Sequence, residues 1–367
     1  MAEIVPLTMP KLGLAMTEGM VAAWLKPEGA EVKAGEEIAD IETSKITSAF
    51  ESPAGGILRR QIARPGEMLP VGALIGVFAD PATDDAAIDD FVAEWQARQA
   101  ETAQQAAESA PEPVRAETAV GTIQYMQAGP SDAPPLVLIH GFGGDYIGWM
   151  FVQPILAERF RTIALDLPGH GGSTKTLQGA DAASLGQAVR ALLDTLGIER
   201  AHLVGHSLGG AVALTLAERA LSTTLISPAG LGAEVNPTYT DGFVQAKRGK
   251  QLKPLLEMLF ADPSLVGRDM VETVLRYKRL DGAEAALTAI AQANFPGGRQ
   301  VKSLRDALKP PVAVIWGRED RIIPASQADG LPDAVQLTVL DGTGHMAHME
   351  RPADVARVVT ETADRAG

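Results

Sequence analysis

The sequence predicts a multidomain protein in which a small all-β domain precedes a larger α/β domain with a mainly parallel sheet. Three observations support this prediction. The chain has 367 residues, which is long for a single hydrophobic core. Its first part, up to residue 80, repeats a pattern of short strands and glycine turns. From about residue 118, strand-like stretches alternate with helical ones, as in parallel sheets covered by helices.

Composition narrows the functional classes. The chain has no cysteine, which excludes disulfides and thiolate metal sites, and we predict no metal centre. Its net charge of −14 disfavours binding to nucleic acid or to an anionic membrane. The opening residues, MAEIVPLTMPKLG, lack the basic and apolar regions of a secretory signal, and no apolar run is long enough to span a membrane. We therefore expect a cytoplasmic protein.

The first domain is predicted from an internal duplication. The stretch GAEVKAGEEIADI, residues 29–41, matches GEMLPVGALIGVF, residues 66–78, with glycines and apolar residues in register. Each half is predicted to contain a turn, a short strand, a second turn and a second strand. Lys45 falls between the halves, on the hairpin after IADIE, where a modifying enzyme can reach a side chain.

The motifs MPKLGLAMTEG, GAEVKAGEEIADIETSK and SPAGGIL together resemble the lipoyl domain of 2-oxo acid and acetoin dehydrogenase complexes. The resemblance implies a flattened, duplicated β-barrel or sandwich over residues 1–80. It also implies that Lys45 carries lipoate through an amide bond made by a lipoate-attaching enzyme. Biotinyl domains share this architecture but usually have methionines around the lysine, where this chain has Ser44 and Ile46.

An acidic segment follows the first domain. Residues 81–117 carry nine carboxylates and two arginines and are rich in alanine, with prolines near the end. Like charges repel and extend a chain, so we predict a linker over 81–117. Part of this segment has helical spacing, with Phe91, Val92 and Trp95 on one face, and this face is expected to pack against a neighbouring domain.

The second domain contains a candidate nucleophile. The stretch AHLVGHSLGGAVALTLAER is predicted to form a strand, a sharp turn and a helix, and it contains G-x-S-x-G over residues 205–209. Ser207 is the serine of this motif. Alone, a glycine-flanked serine can simply cap a helix. Here the stretch PLVLIHGFGGD precedes it as an apolar strand that ends in His-Gly, and acid and histidine candidates follow it.

This half resembles the α/β-hydrolase superfamily over residues 118–367. The superfamily places an acid and then a histidine after the serine. The resemblance implies that His345 is the base that activates the serine, with His348 as its competitor. It implies that Asp320 orients the base, and the side chain of the adjacent Glu319 should point away.

The same resemblance implies two further features. The backbone N–H groups of Phe142 and Leu208 would form an oxyanion hole. Residues 228–300, approximately, would form a helical cap. The basic runs QAKRGKQLK and RYKRL in this segment are usually solvated helix faces, but they could instead meet the phosphates of a nucleotide-bearing thiol.

The two halves together resemble the dihydrolipoamide acetyltransferase components of acetoin dehydrogenase complexes. The resemblance implies an acyltransferase that carries acetyl on a lipoyl-lysine and transfers it to coenzyme A. It implies two partner enzymes: a thiamine-diphosphate-dependent acetoin dehydrogenase component and a dihydrolipoamide dehydrogenase, which is a flavin enzyme. The alternative is a serine hydrolase of esters or thioesters with an attached lipoyl carrier domain, because both activities use the same triad.

Overall fold

The computed structural model of the chain describes residues 4–12, 18–43, 47–109, 112–301, 303–309 and 311–366. Lys45 therefore lies outside the described residues. The chain forms two compact units, which join between residues 110 and 111. Apart from one helix, the described part of the first unit is all-β, whereas the second unit combines helices with a long sheet.

The first unit contains two four-stranded antiparallel sheets in its described part. The strands are β1 (Val5–Thr8), β2 (Glu18–Trp24), β3 (Glu31–Val32), β4 (Glu37–Glu42), β5 (Thr47–Glu51), β6 (Gly56–Gln61), β7 (Met68–Pro70) and β8 (Leu74–Phe78). One sheet has the order β1-β8-β6-β3 and the other β5-β4-β2-β7. Each half of the repeat therefore contributes strands to both sheets.

The duplication is visible in the backbone as well. The repeat glycines Gly29, Gly35, Gly66 and Gly72 have φ angles of 87°, 80°, 87° and 84°, in the left-handed region that glycine enters without strain. Aliphatic side chains from both sheets form one core, which includes Leu7, Val21, Ile38, Ile41, Leu58 and Ile75. The pairing and the shared core give the duplicated β-sandwich that the repeat predicts.

Helix α1 (Asp85–Ser109) packs against this sandwich. Ile88 is fully buried, and Phe91, Val92 and Trp95 lie beside it against side chains of β8. These residues recur every three or four positions, which places them on one helix face. The apolar face predicted from the sequence thus lies against the first unit, with Ile88 as its most deeply buried member.

Acidic residues at the start of α1 form ion pairs with the same sandwich. Arg59 contacts Asp85 at 2.9 Å, and Arg60 contacts Asp89 at 2.8 Å. The sequence predicts a linker over 81–117, in which repulsion among carboxylates extends the chain. Much of that segment is helix α1, in line with the helical spacing noted within it, and its first carboxylates pair with arginines of β6.

A single sheet runs through the second unit. Its strands are β9 (Val114–Thr118), β10 (Gly121–Ala128), β11 (Pro135–Ile139), β12 (Arg161–Leu165), β13 (Ala201–His206), β14 (Ala220–Ile226), β15 (Val312–Gly317) and β16 (Val335–Leu340). Their order is β16-β15-β14-β13-β11-β12-β10-β9. The strands from β11 to β16 are parallel, and β9 and β10 extend the sheet antiparallel at one edge.

Helices cover both faces of this sheet. They are α2 (Gln153–Ala157), α3 (Ala182–Thr195), α4 (Leu208–Leu214), α5 (Pro237–Gln245), α6 (Gly249–Glu257), α7 (Arg268–Lys278), α8 (Ala283–Asn294), α9 (Ala347–Glu350) and α10 (Pro352–Asp364). Alternate residues of β11 enter different cores: Val137 and Ile139 pack with α3 and α4, and Leu136 and Leu138 pack with α2 and α10. Burial on both faces explains the continuous apolar run PLVLI.

Four helices, α5 to α8, lie between β14 and β15 and form a cap. Its apolar side chains, among them Phe243, Leu252 and Phe260, belong to the same core as α3 and α4. The cap is thus packed onto the carboxyl ends of the parallel strands, the edge at which open α/β sheets bind ligands. No helix within the described residues is long and apolar enough to cross a membrane.

Candidate active site

Ser207 lies in a sharp turn between β13 and α4. Its backbone has φ 51° and ψ −120°, a conformation that costs a residue with a side chain about 1–3 kcal/mol. The neighbouring backbone leaves no room for a Cβ on either glycine of the motif. A Cβ on Gly209 would lie 2.2 Å from the carbonyl oxygen of Ile139, and one on Gly205 would lie 2.3 Å from that of Gly209. Space therefore requires the glycines of G-x-S-x-G.

The structure brings together the predicted acid and base. His345, in the loop after β16, places Nδ1 2.8 Å from Oδ2 of Asp320, and both side chains are almost fully buried. Oδ1 of the same carboxylate accepts from the N–H groups of Ile322 and Ile323 at 2.8 and 2.9 Å. An ionised carboxylate only accepts hydrogen bonds, so Nδ1 carries the proton and Nε2 keeps a lone pair. Ser207 and His345 line the same cavity.

The backbone of His345 is held from several directions. Its N–H donates to the carbonyl oxygen of Leu259 at 2.8 Å, and its own carbonyl oxygen lies 3.0 Å from Nε2 of His206. Burial lowers the pKa of His206 well below its usual value, so that this neutral ring donates from Nε2. The preceding Gly344 donates its N–H to Glu350 at 2.8 Å. Since Leu259 follows α6, the cap also helps to position the histidine.

His348, the competing base, is placed differently. It lies between the rings of Trp149 and His206, with centroid distances of 4.6 and 4.5 Å. Its Nδ1 has no hydrogen-bond partner within the part of the chain that the structure describes. Burial, followed by repulsion from His345, lowers the pKa of His348 to about 3. This ring is therefore neutral and packs beside the site without a carboxylate to orient it.

Two backbone donors lie beside Ser207. The loop after β11 passes so close that a Cβ on Gly141 would lie 2.9 Å from the Cβ of Ser207. Phe142 follows in this loop, and Leu208 begins α4. Among the described residues, neither the N–H of Phe142 nor that of Leu208 has an acceptor. Unpaired donors at a helix start and in an adjacent loop are suited to bind a developing negative charge.

A cavity of about 290 Å³ opens above Ser207. Cap residues form much of its wall, namely Tyr239, Phe243, Leu256, Leu259, Phe260, Asp269, Met270, Thr273 and Val274. Most of these side chains are apolar, as in typical small-molecule sites. No cluster of three or more potential metal ligands occurs among the described residues.

Asp145 is a cavity residue that the sequence analysis missed. It caps a 3₁₀ helix over Tyr146–Trp149, where its side chain accepts from the N–H of Ile147 at 2.9 Å. Burial, with a smaller contribution from the charge of Asp166, raises the pKa of Asp145 to about 6. The only sequence signal was an aspartate after HGFGG, and nothing in the pattern shows that the fold partly buries it.

Comparisons with known proteins agree with this architecture. A family model described as α/β hydrolase fold matches residues 134–352, and one described as Biotin-requiring enzyme matches residues 5–78. The meta-cleavage product hydrolase of Pseudomonas fluorescens IP01 superimposes with a TM-score of 0.61 at 27% identity, covering 69% of this chain and 98% of that one. The predicted fold class, a lipoyl-type domain followed by an α/β-hydrolase fold, is confirmed.

Two relatives align over nearly the whole chain. The dihydrolipoyllysine-residue acetyltransferase component of the acetoin cleaving system of Pseudomonas putida is 47% identical, over 97% of this chain and 97% of its own length. The protein of the same name from Cupriavidus necator is 44% identical, over 96% of this chain and 95% of its own. Both halves of the chain are thus matched together.

We predict that Asp145→Asn stabilises the second unit above neutral pH and not in acid. The folded-state pKa of about 6 exceeds the ordinary aspartate pKa of 3.8, so ionisation of Asp145 opposes folding. This penalty is absent below pH 3.8 and grows as the pH rises through 6. The asparagine keeps the capping oxygen, so the free energy of unfolding at pH 8 should rise by about 1–3 kcal/mol.

Chemical denaturation at pH 4 and at pH 8 measures this difference. Asp132→Asn, which neutralises an exposed aspartate of the same unit, is the matched control and should change little at either pH. An equal effect of Asp145→Asn at both pH values would contradict a raised pKa for Asp145 in the folded chain.

Proposed function

The chain belongs to the family of dihydrolipoyllysine-residue acetyltransferase components of acetoin cleaving systems, and on that premise we propose that Ser207, His345 and Asp320 perform its chemistry. The protein is an acyltransferase that carries acetyl on covalently bound lipoate and passes it to coenzyme A. The family predicted from the sequence is confirmed. The observation that supports the triad is the buried 2.8 Å contact between His345 and Asp320, on a cavity that Ser207 also lines.

Lys45 is the proposed attachment point for lipoate. Strands β4 and β5 pair antiparallel with Glu42 opposite Thr47, so residues 43–46 join the two strands, and Lys45 is among them. A lysine in a short connection between paired strands fits a group that must be attached by another enzyme and must reach a distant site. When bound, the lipoyl group supplies a thiol that holds acetyl as a thioester.

The first half-reaction begins with proton transfer. Nε2 of His345 takes the proton of the Ser207 hydroxyl as its oxygen attacks the thioester carbonyl. The oxygen–carbon bond forms, the carbon–sulfur bond breaks, and the protonated histidine returns its proton to the leaving thiolate. The N–H groups of Phe142 and Leu208 stabilise the oxyanion of the tetrahedral intermediate, and Asp320 stabilises the histidine cation.

The second half-reaction reverses these roles. His345 takes the proton of the coenzyme A thiol, the sulfur attacks the acetyl-serine ester, and Ser207 recovers its proton as the acetyl thioester leaves. A thiolate is a better nucleophile than water, and a site that excludes water favours its attack on the acetyl-serine ester further. The apolar cap wall, with Phe243 and Phe260 buried, supports the selection of thiol over water.

The proposed partners follow from the role of a carrier. A thiamine-diphosphate-dependent acetoin dehydrogenase component would load the acetyl group, and a dihydrolipoamide dehydrogenase, a flavin enzyme, would reoxidise the lipoyl thiols. A lipoate-attaching enzyme would modify Lys45. We place the protein in the cytoplasm with these enzymes.

We predict that Lys45→Arg abolishes lipoylation. Arginine keeps the positive charge but cannot form the amide. Intact-mass analysis after expression with lipoate should show the added group on the parent chain and none on the variant. Lys33→Arg, at an exposed lysine of the same unit, is the matched control and should remain modified. Modification that persists in Lys45→Arg would assign lipoate to another lysine.

We predict that Ser207→Ala and His345→Gln each lower acetyl-CoA formation by about a thousandfold or more, because either change removes a member of the triad. The assay uses free acetyl-dihydrolipoamide and coenzyme A with the lipoylated full chain. His348→Gln is the control for the base, since it removes a buried histidine three residues away, and it should retain most of the activity.

Circular dichroism and the extent of lipoylation confirm that each variant is folded. Equal losses in His348→Gln and His345→Gln would contradict the assignment of the base. Transfer by Ser207→Ala at the parent rate would contradict covalent catalysis, and release of free acetate instead of acetyl-CoA by the parent chain would favour the hydrolase alternative.

A further inference from the structure

The cap carries a second, larger concavity on its outer side. It lies between α6 and α7, has a volume of about 720 Å³, and is called the cationic groove here. Its walls are formed by Gly249, Lys250, Lys253, Pro254, Glu257, Arg268, Val271, Glu272, Leu275, Arg276 and Arg279. The volume is within the range of small-molecule sites.

The groove has an excess of positive charge. Its two carboxylates are each neutralised within the groove, Glu257 by Lys253 at 3.6 Å and Glu272 by Arg268 at 2.6 Å. The other three cations, Lys250, Arg276 and Arg279, have no carboxylate within 4.0 Å among the described residues. The groove therefore presents three cations without a close ion-pair partner, and of these Arg276 lies near the already paired Glu272.

This charge contrasts with the rest of the chain. The whole protein has a net charge of −14, whereas residues 246–279 contain eight lysines and arginines and four carboxylates. Not all of these cations are available: Lys247 pairs with Glu284 at 3.1 Å, and the ammonium group of Lys278 donates to the carbonyl oxygens of Phe243 and Val244. The available charge is concentrated in the cationic groove, where it attracts anions against the field of the whole protein.

The floor of the groove is apolar. Val271 and Leu275, on α7, are buried with 6% and 9% exposure, and Pro254 of α6 lies opposite them. A ligand that combines a flat apolar ring with several phosphates matches this combination of floor and rim. Arginine also binds phosphate through two parallel N–H groups, which favours Arg276 and Arg279 as phosphate ligands.

One helix separates the groove from the catalytic cavity. Val271, Leu275 and Arg276 of α7 face the groove, whereas Met270 and Val274 of the same helix line the cavity above the serine. A helix with its side chains is about 10–12 Å thick. The pantetheine arm of coenzyme A is about as long as four to five extended residues, roughly 15 Å, and can span this distance.

We propose that the cationic groove binds the nucleotide end of coenzyme A, with its phosphates on Lys250, Arg276 and Arg279 and its adenine on the floor of Val271 and Leu275. The pantetheine arm passes over α7 and delivers its thiol to the cavity. This inference rests on the proposed function, because coenzyme A is the acceptor there. The groove supplies affinity for the acceptor, while the cavity supplies the chemistry.

An acidic protein surface is the other occupant that the charge could attract, since residues 1–110 carry 18 carboxylates against eight lysines and arginines. The shape favours the nucleotide. Protein interfaces are broad and bury about 800 Å² on each partner, whereas this site is a concave pocket with a buried apolar floor.

The test compares two double variants of the lipoylated full chain. Arg276→Gln/Arg279→Gln removes two groove cations. Arg159→Gln/Arg357→Gln removes two exposed arginines outside the groove, each in an exposed ion pair, and is the matched control. Calorimetry measures binding of adenosine 3′,5′-bisphosphate, which resembles the nucleotide end but has no thiol. Initial rates with free acetyl-dihydrolipoamide measure the KM for coenzyme A and for pantetheine.

The groove variant should bind the bisphosphate about ten- to a hundredfold more weakly than the parent. It should also lose the advantage in kcat/KM that coenzyme A has over pantetheine. The control variant should match the parent in both measurements. Raising the salt concentration should weaken bisphosphate binding to the parent more than to the groove variant.

The possible outcomes distinguish a failure of the groove proposal from a failure of the proposed function. The parent chain could bind the bisphosphate through Arg276 and Arg279 and yet make no acetyl-CoA. This result would support the groove as a nucleotide site and overturn the proposed acetyltransferase function. Acetyl-CoA formation with equal KM for coenzyme A in the parent and the groove variant would overturn the groove alone. Weaker use of a protein-borne acetyl donor by the groove variant, with bisphosphate binding unchanged, would assign the groove to an acidic protein and overturn the proposal.

Discussion

The backbone of Ser207 is held in a conformation that a residue with a side chain avoids, and the site depends on the bonds that hold it. Its N–H donates to Ile226 at 3.0 Å, and its carbonyl oxygen accepts from Gly210 and Ala229, each at 2.9 Å. These bonds connect the turn to the end of β14 and to the chain beyond it. These hydrogen bonds help to offset the cost of about 1–3 kcal/mol that the strained conformation carries.

The position of the serine fixes where the remaining groups must lie. Because the turn is at the carboxyl end of β13, the acid and the base come from loops at the same end of β15 and β16. A Cβ on Gly317 would lie 2.0 Å from the carbonyl oxygen of Gly344, so the two loops touch where Asp320 and His345 meet. The cap then closes this end, and its outer surface carries the cationic groove.

Much of this arrangement could be predicted from the sequence because it depends on short-range chemistry. Glycines mark positive φ angles and close contacts, which made the repeat of the first unit and the turn at Ser207 recognisable. Three features depend on tertiary context instead. The ion pairs that hold α1, such as Arg60 with Asp89, join residues far apart in the sequence, and β9 is an edge strand held by backbone pairing without an apolar pattern. Burial, together with the charge of Asp166, raises the pKa of Asp145.

The charged residues of the cap show the same limit to prediction from the sequence. The basic runs were evident in the sequence, but their role could not be read from it, because pairing decides which cations are available. Lys253 and Arg268 are neutralised by neighbours one helical turn away, a spacing that the sequence does show. Arg276 also lies one turn from Glu272, but that carboxylate makes its close ion pair with Arg268, which the sequence alone does not show.

In the proposed mechanism, acetyl passes through an ester on Ser207. A rapid-quench experiment tests this step directly. The lipoylated full chain is mixed with excess acetyl-dihydrolipoamide in the absence of coenzyme A and quenched in acid within milliseconds to seconds. Mass spectrometry then maps the acetylated peptides. We expect acetyl on the peptide that contains Ser207 within the first turnover, and its loss when coenzyme A is added. An unmodified serine at every time point, in a chain that forms acetyl-CoA at its full rate, would contradict the covalent mechanism.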